Sequence, residues 1–194
     1  MAGYWAIRLA SAALLTNLAL AEPPRRPEIF ANVGSFRAGG DEGSLGSSVA
    51  YGGALVLPVW PKLAIDIDVQ VGSVTNSFGR DTNDLRRWLV SPSLVYRFGS
   101  ERVYGFAGGG LGWSHDRHRN VAEINPVFAP GPPWRDLGGG LYGFEDTESF
   151  RTIHGRAGLV ANPVSKLLLR FEFYSIHQFV LPNLGVKAGV GYRF

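Results

Sequence analysis

Apolar and polar residues alternate with a period of two along much of the chain, and the last eleven residues show this most clearly. The apolar positions of this closing segment are Leu184, Val186, Ala188, Val190, Tyr192 and Phe194. The residues between them are small or charged: Gly185, Lys187, Gly189, Gly191 and Arg193. Successive side chains of a β-strand point to opposite faces, so this period predicts a strand with one apolar face that ends on an aromatic residue.

The same alternation predicts eight strands. We place them at about 28–37, 47–57, 63–72, 86–98, 103–113, 151–161, 166–176 and 184–194. Short turns follow the second, fourth and sixth strands, and longer connections follow the first, third, fifth and seventh. An up-and-down transmembrane barrel has this arrangement, because its periplasmic turns are short and its outer loops are long. The predicted fold is therefore all-β, an eight-stranded antiparallel transmembrane β-barrel.

Alternation alone does not say which face points inward, since a binding barrel of the lipocalin type places its apolar face inside. Aromatic residues stand at the ends of the apolar faces, as in the interfacial girdles of membrane barrels. They are Trp60, Trp88, Phe98, Trp113, Tyr192 and Phe194. The opposite face is rich in Gly, Ala and Ser, which suits a crowded lumen. The mean hydropathy of +0.03 is low for helical spans and ordinary for a barrel, so we expect the apolar face to meet lipid.

The first 21 residues are predicted to be a cleavable signal peptide. Arg8 is the only charge before Glu22, a mostly apolar run covers 9–20, and Ala19 and Ala21 form a small-x-small cleavage site. The apolar run is shorter than the roughly 20 residues that a spanning helix needs. We therefore expect a signal peptide over 1–21, a short periplasmic lead over 22–27 and the barrel over 28–194.

The closing strand resembles the terminal strand of bacterial outer-membrane β-barrels. The third to eighth strands resemble the small eight-stranded outer-membrane-protein β-barrel domain family of Gram-negative-type bacteria. This resemblance implies the cell outer membrane as the location and outer-membrane lipid as the surroundings. It also implies that Val190, Tyr192 and Phe194 form an assembly signal, which the barrel-insertion machinery reads. It implies no activity.

Charged residues on the predicted inner face form the main candidate site. They are Asp66, Asp68, Arg97, Arg156, Arg170, Glu172, Lys187 and Arg193. Charges at this depth must be paired, and Arg suits bidentate pairing with carboxylates. We expect Arg97, Arg156 and Arg170 to bridge the three acids, which makes a structural plug. The excess of basic over acidic residues leaves a narrow anion pore as an alternative.

Two further patterns could carry chemistry. Ser175 and His177 are two residues apart and share the predicted lipid face. This spacing resembles outer-membrane lipid A deacylases, but the order of the two residues is reversed and Glu172 is expected to point inward. A lipid A-modifying hydrolase is therefore an alternative to a protein without catalysis. His115 and His118, with a third His nearby, could hold a transition metal, but no second-shell pattern is visible, and we predict neither a metal nor a cofactor.

Composition excludes some kinds of partner and of covalent cross-link. The pI is near 9.4, but the basic residues are scattered singly, so nucleic acid is not an expected partner. The sequence contains no Cys, which excludes disulfides. The predicted outer loop at about 114–150 is rich in Pro, Gly and aromatic residues and ends on Glu145, Asp146 and Glu148. Loops on rigid scaffolds often carry recognition, so any surface recognition is expected there, with the ligand unknown. A mobile loop without a partner is the alternative, and the predicted role is therefore structural or at the cell surface.

Overall fold

A computed structural model describes residues 22–40, 43–124, 131, 133–178 and 181–194. The predicted signal peptide, 1–21, lies outside the described residues. The strands are β1 (Glu28–Gly40), β2 (Gly43–Pro58), β3 (Leu63–Phe78), β4 (Asp81–Gly99), β5 (Val103–Glu123), β6 (Arg135–Gly138), β7 (Leu141–Val164), β8 (Leu167–Gln178) and β9 (Leu181–Arg193). The described part of the chain contains no helix that is long and apolar enough to cross a membrane.

Eight of these strands close into an antiparallel ring in the order β1–β2–β3–β4–β5–β7–β8–β9. The first and last strands meet at a seam that runs from the pair Glu28↔Arg193 to the pair Gly34↔Lys187. A closed ring pairs the backbone groups of every strand, which lipid requires because it offers them no hydrogen bonds. The predicted eight-stranded antiparallel barrel is confirmed.

The two ends of the ring differ. One end holds the start of β1, the end of β9 and three tight connections at 59–62, 100–102 and 165–166, and we call it the terminal end. The opposite end, the loop end, holds the end of β1, the start of β2, the turn at 79–80 between β3 and β4, the end of β8 and the start of β9. The lead over 22–27 is not strand, yet Pro23 and Pro24 are buried, so this segment folds against the protein instead of extending freely into solvent.

The segment 114–150 differs from the loop that the sequence predicts. β5 and β7 remain paired as far as Glu123↔Leu141, so most of this segment is a long hairpin, and β6 folds against the start of β7. Gly138, Gly139 and Gly140 make the turn between β6 and β7, with φ of 88°, 65° and 79°, a region that favours glycine. The prediction stopped early because polar residues occupy both faces here, so the apolar period of two disappears although the backbone pairing continues.

β3, β4, β5 and β7 continue together past the last pairs of their outer neighbours. β2 leaves β3 at the pair Ala50↔Gly72, and β8 leaves β7 at the pair His177↔Ile153. By contrast, β3 and β4 stay paired to Phe78↔Asp81. The strand segments beyond these points, together with β6, form what we call the projecting sheet. It lies at the loop end, where β1 and β2 also stay paired to Gly40↔Gly43.

The apolar faces of the strands point outward all around the ring. Exposed side chains on this band include Ile29, Leu55, Val69, Leu94, Leu159, Leu169, Phe173 and Val190. All six aromatic residues that the sequence assigned to girdles are exposed as well. An exposed apolar surface of this extent suits lipid and not water, because large apolar patches are rare on soluble proteins.

Candidate functional site

A layer of acidic and basic side chains fills the middle of the lumen. Arg170 is central: its Nη2 donates to Asp66 Oδ2 at 2.6 Å, and its Nε donates to Glu172 Oε2 at 3.0 Å. Arg156 Nη1 lies 3.0 Å from Asp66 Oδ1, and the Arg156 guanidinium lies 3.6 Å from both Asp68 and Glu172. All of these side chains are buried. The guanidinium forks thus join acids from β3 and β8 across the lumen.

Lys187 completes this layer from β9. Its Nζ lies 2.8 Å from Asp68 Oδ2 and 3.0 Å from Glu172 Oε1. Asp68 also accepts hydrogen bonds from Gln70 Nε2 at 2.6 Å and from Asn32 Nδ2 at 3.3 Å. Each acid of the layer therefore has more than one partner, as buried charges require.

A second cluster lies at the terminal end, where the seam closes. Arg193 Nε donates to Glu28 Oε1 at 2.9 Å, and the hydroxyl of Tyr104 donates to the other oxygen of Glu28 from across the lumen. Arg193 Nη1 also donates to the carbonyl of Glu101 in a tight turn, at 3.1 Å. Glu28 begins β1 and Tyr104 lies on β5, so this cluster ties the seam to the opposite wall.

Arg97 belongs to this terminal cluster and not to the middle layer. Its guanidinium lies over the ring of Tyr104, 5.8 Å from the centroid, and its nitrogens have no hydrogen-bond partner among the described residues. The expectation that Arg97 bridges the mid-lumen acids is corrected. The reason is the position of Arg97 along the barrel axis, because it is only two residues from Gly99, where β4 ends at the terminal end.

Above the middle layer, Arg87 forms an ion pair with Asp116, and Ser114 Oγ donates to Asp116 Oδ1 at 2.6 Å. Sequence reasoning left Asp116 out of the lumen because it placed the residue in a loop. It also missed Glu28, which stands at the first position of a strand. For either acid, the only sequence signal of a place in the lumen was an oppositely charged residue on a neighbouring strand, Arg87 for Asp116 and Arg193 for Glu28.

Apolar side chains and a small cavity lie in the lumen beyond these charges. Leu89, Tyr174 and Ile176 form one buried cluster, and Ala50, Val74 and Leu85 form another. The cavity between them measures about 20 Å³, room for roughly one water molecule. The described side chains at this level thus leave space for about one water molecule in this cavity.

Glycines on the inner face of β9 make this dense filling sterically feasible. A Cβ atom at Gly185 would lie 2.4 Å from Cζ of Tyr174, and one at Gly191 would lie 2.4 Å from Cδ1 of Phe30. The small positions that alternate with the apolar residues of the closing strand are therefore the space into which aromatic rings from β1 and β8 fit.

On the outer surface, Ser175 and His177 are brought together. Ser175 Oγ lies 3.1 Å from Nε2 of His177. Glu172 points into the lumen and pairs with Arg170 and Lys187, as expected. Within the described part of the chain, no carboxylate contacts His177, so this dyad lacks the third group that orients a catalytic histidine.

The other histidines do not gather. His115 Nδ1 lies 2.9 Å from Ser149 Oγ on the outward face, whereas His118 is on the opposite face of β5. His154 is buried in the lumen, with its Nε2 2.7 Å from Ser93 Oγ. Over the described ranges, no three His, Cys, Asp or Glu side chains are placed to hold a metal ion.

No protein-family model matches the chain, and no curated protein sequence matches it. Solved structures do. Ail of Yersinia pestis, in complex with the heparin analogue sucrose octasulfate, has 15% identity and a TM-score of 0.57, with 90% of this chain and 100% of that chain covered. Neisserial surface protein A has 15% identity and a TM-score of 0.56, covering 87% and 97%. The N-terminal β-barrel domain of Pseudomonas aeruginosa OprF has 10% identity and a TM-score of 0.50, covering 88% and 98%.

These similar structures are small eight-stranded outer-membrane β-barrels of Gram-negative bacteria. Their fold, together with the outward apolar band and the charged interior, defines the class of this chain. It is an integral outer-membrane β-barrel, whose strands cross the membrane.

Proposed function

We propose that the protein is a barrel without catalysis that acts at the cell surface through its projecting sheet, on top of a lumen that its own side chains close. The observation that carries this proposal is the difference between the ends of the ring. The terminal end is tied together by the cluster of Glu28, Tyr104 and Arg193 and has three tight turns, whereas the loop end continues as β5–β7 pairs as far as Glu123↔Leu141.

The orientation in the membrane follows from the connections. Short turns belong to the periplasmic side of outer-membrane barrels, and long connections belong to the outside. The three tight turns lie at the terminal end together with both strand termini of the seam, so the projecting sheet faces the exterior.

The tip of the projecting sheet offers a place for recognition. Trp134 and Phe144 lie with ring centroids 5.7 Å apart in an open groove of about 980 Å³. Arg119, Arg135 and Glu145 also line this groove. Aromatic rings with a few converging polar groups are typical of ligand sites, and loop ends of rigid scaffolds are where such sites occur.

Two measurements test the proposal. The chain has no Cys, so Glu148→Cys and Lys166→Cys can each be labelled on intact cells with a maleimide that does not cross membranes. We expect labelling at 148 and none at 166, and the reverse result would overturn the orientation. Displaying cells are then screened on arrays of glycans and extracellular proteins, where Trp134→Ala with Phe144→Ala should abolish binding. Binding no greater than that of cells lacking the protein would reject the surface role.

The closed lumen is tested separately in planar bilayers. Among the described residues, six basic and five acidic side chains are buried in the lumen, which leaves one positive charge in excess and favours the anion pore as the second candidate. We expect conductance to be absent or very small, because an eight-stranded ring is only wide enough for its own side chains. Large, steady, anion-selective currents would establish the pore instead.

A further inference from the structure

The outward face of one wall changes from apolar to basic just where the apolar band ends. We propose that Arg86, Arg117 and Arg151 bind the phosphorylated headgroup of an outer-leaflet glycolipid, on the surface formed by β4, β5 and β7. This inference rests on the proposed orientation, because only then does the basic surface lie at the outer leaflet.

Strand register places these residues in three successive rows of the outward face. From the band upward, the rows are Val90↔Trp113↔Arg151, Trp88↔His115↔Ser149 and Arg86↔Arg117↔Thr147. Acidic residues first appear in the next row, Asp84↔Arg119↔Glu145. The rows nearest the lipid therefore carry three arginines and no acid.

Two tryptophans mark the depth of this surface. Trp88 and Trp113 are 55% and 53% exposed, and each is directly paired with a residue of the adjacent strand in these rows. Indole rings prefer the boundary between hydrocarbon and headgroups. The arginines beside and above them thus stand at the level of the headgroup phosphates.

The arginines keep donors available for such a ligand. Arg86 and Arg117 face each other across β4 and β5, and like charges in this position repel. Arg117 Nη2 lies 2.7 Å from Glu145 and Arg86 Nε lies 3.6 Å from Asp84, but the two arginine side chains remain 56% and 66% exposed. A phosphate between the guanidinium groups would offset their repulsion, because guanidinium binds phosphate through paired N–H donors.

The basic surface is confined to this wall over the described side chains of the neighbouring strands. In the row of Trp88, the paired residues on β3 and β2 are Val71 and Tyr51. The next outward position of β2 toward the loop end is Val49. β3 contributes Ser73 opposite Arg86. Ordinary lipid surrounds the whole ring, so a one-sided cluster indicates a discrete headgroup site.

The test uses the full-length refolded protein in detergent, with binding of bisphosphorylated lipid A followed by native mass spectrometry. The triple variant Arg86→Gln, Arg117→Gln, Arg151→Gln should bind this lipid roughly 100-fold more weakly, since each surface Arg contributes about fivefold to headgroup binding. The matched control is Arg26→Gln, Arg80→Gln, Arg102→Gln, which removes the same charge from exposed positions outside both this basic surface and the groove. It should stay within about threefold of the wild type.

Dephosphorylated lipid A provides the second arm, and the wild type should bind it as weakly as the triple variant binds the phosphorylated form. Equal binding of both lipids by the wild type, or an equal loss in the control variant, would overturn the proposal. If the triple variant does not refold, Arg151→Gln alone should still lower affinity about fivefold. The assay uses purified protein, so a failure here is separate from a failure of the labelling experiment on cells.

Discussion

The lumen and the projecting sheet use the same kinds of ion pair in opposite ways. In the lumen, Arg170 reaches Asp66 from 104 positions away in sequence, and both side chains are buried. In the projecting sheet, Arg117 bonds to Glu145 on the adjacent strand, and both are exposed. Breaking a buried pair leaves an uncompensated charge, at a cost of about 3–5 kcal/mol, whereas an exposed pair contributes about 0–1 kcal/mol. Breaking an ion pair in the lumen is therefore expected to cost more stability than breaking one in the projecting sheet.

The largest loss of stability should come from a substitution in the middle layer of the lumen. Arg170→Met keeps much of the side-chain volume but removes one of the two guanidinium groups that contact both Asp66 and Glu172. The layer is left with one uncompensated negative charge, so we expect the free energy of unfolding to fall by about 3–5 kcal/mol. Urea titration in lipid vesicles measures it. Adding Asp66→Asn should restore part of the loss, because Asp68 and Glu172 then balance Arg156 and Lys187 in the buried layer. If the urea midpoint of Arg170→Met equalled that of the wild type, ion pairs in the lumen would contribute no more to stability than those in the projecting sheet.

Deleting Phe194 should lower the yield of assembled barrel much more than deleting β6, Arg135–Gly138. Phe194 N–H donates to the carbonyl of Pro27 at 3.2 Å, and its ring lies edge-on to Tyr192 with centroids 5.5 Å apart, beside the seam. An open seam in lipid leaves backbone groups unpaired, at several kcal/mol for roughly each group. The outer-membrane fraction of each variant gives the measurement, and equal yields would contradict the assembly role of the closing strand.

A small effect is expected in the projecting sheet. Arg117→Gln removes the exposed pair with Glu145 and should change the free energy of unfolding by less than about 1 kcal/mol. The same urea titration serves as the readout. A loss comparable to that of Arg170→Met would mean that the projecting sheet is part of the folding core.

The smallest effect, no change in the lipid A of the cells, is expected from substitutions on the outer surface of β8 near the last β7–β8 pair, His177↔Ile153. Ser175→Ala or His177→Ala should leave the lipid A of expressing cells unchanged, because a serine without an oriented base is a weak nucleophile. Mass spectrometry of lipid A from cells with and without the wild-type protein decides this. Loss of an acyl chain that requires both residues would make the protein a hydrolase.

How far the sequence predicts this molecule depends on where lipid imposes a pattern. Within the apolar band the period of two located eight strands and separated inward Asp68 from outward Val69. Beyond the band, Asp116 and Glu148 stand among polar residues on both faces, so the hairpin was taken for a loop. Ion-pair partners within the lumen could not be predicted either. Strand tilt and stagger determine which side chains from different strands lie at the same level along the barrel axis. Arg97 and Arg170 look alike in sequence, yet they lie in different layers.

The seam also determines the order in which the ring can form. Glu28 and Arg193 are 165 positions apart, whereas β2 and β3 are joined by a connection of four residues. For a flexible chain, closing the longer loop costs about 3 kcal/mol more conformational entropy than closing the shorter one. We therefore expect adjacent hairpins to form first and the seam last. Until then β1 and β9 each present a bare hydrogen-bonding edge, so folding passes through an open sheet that must be shielded from other chains.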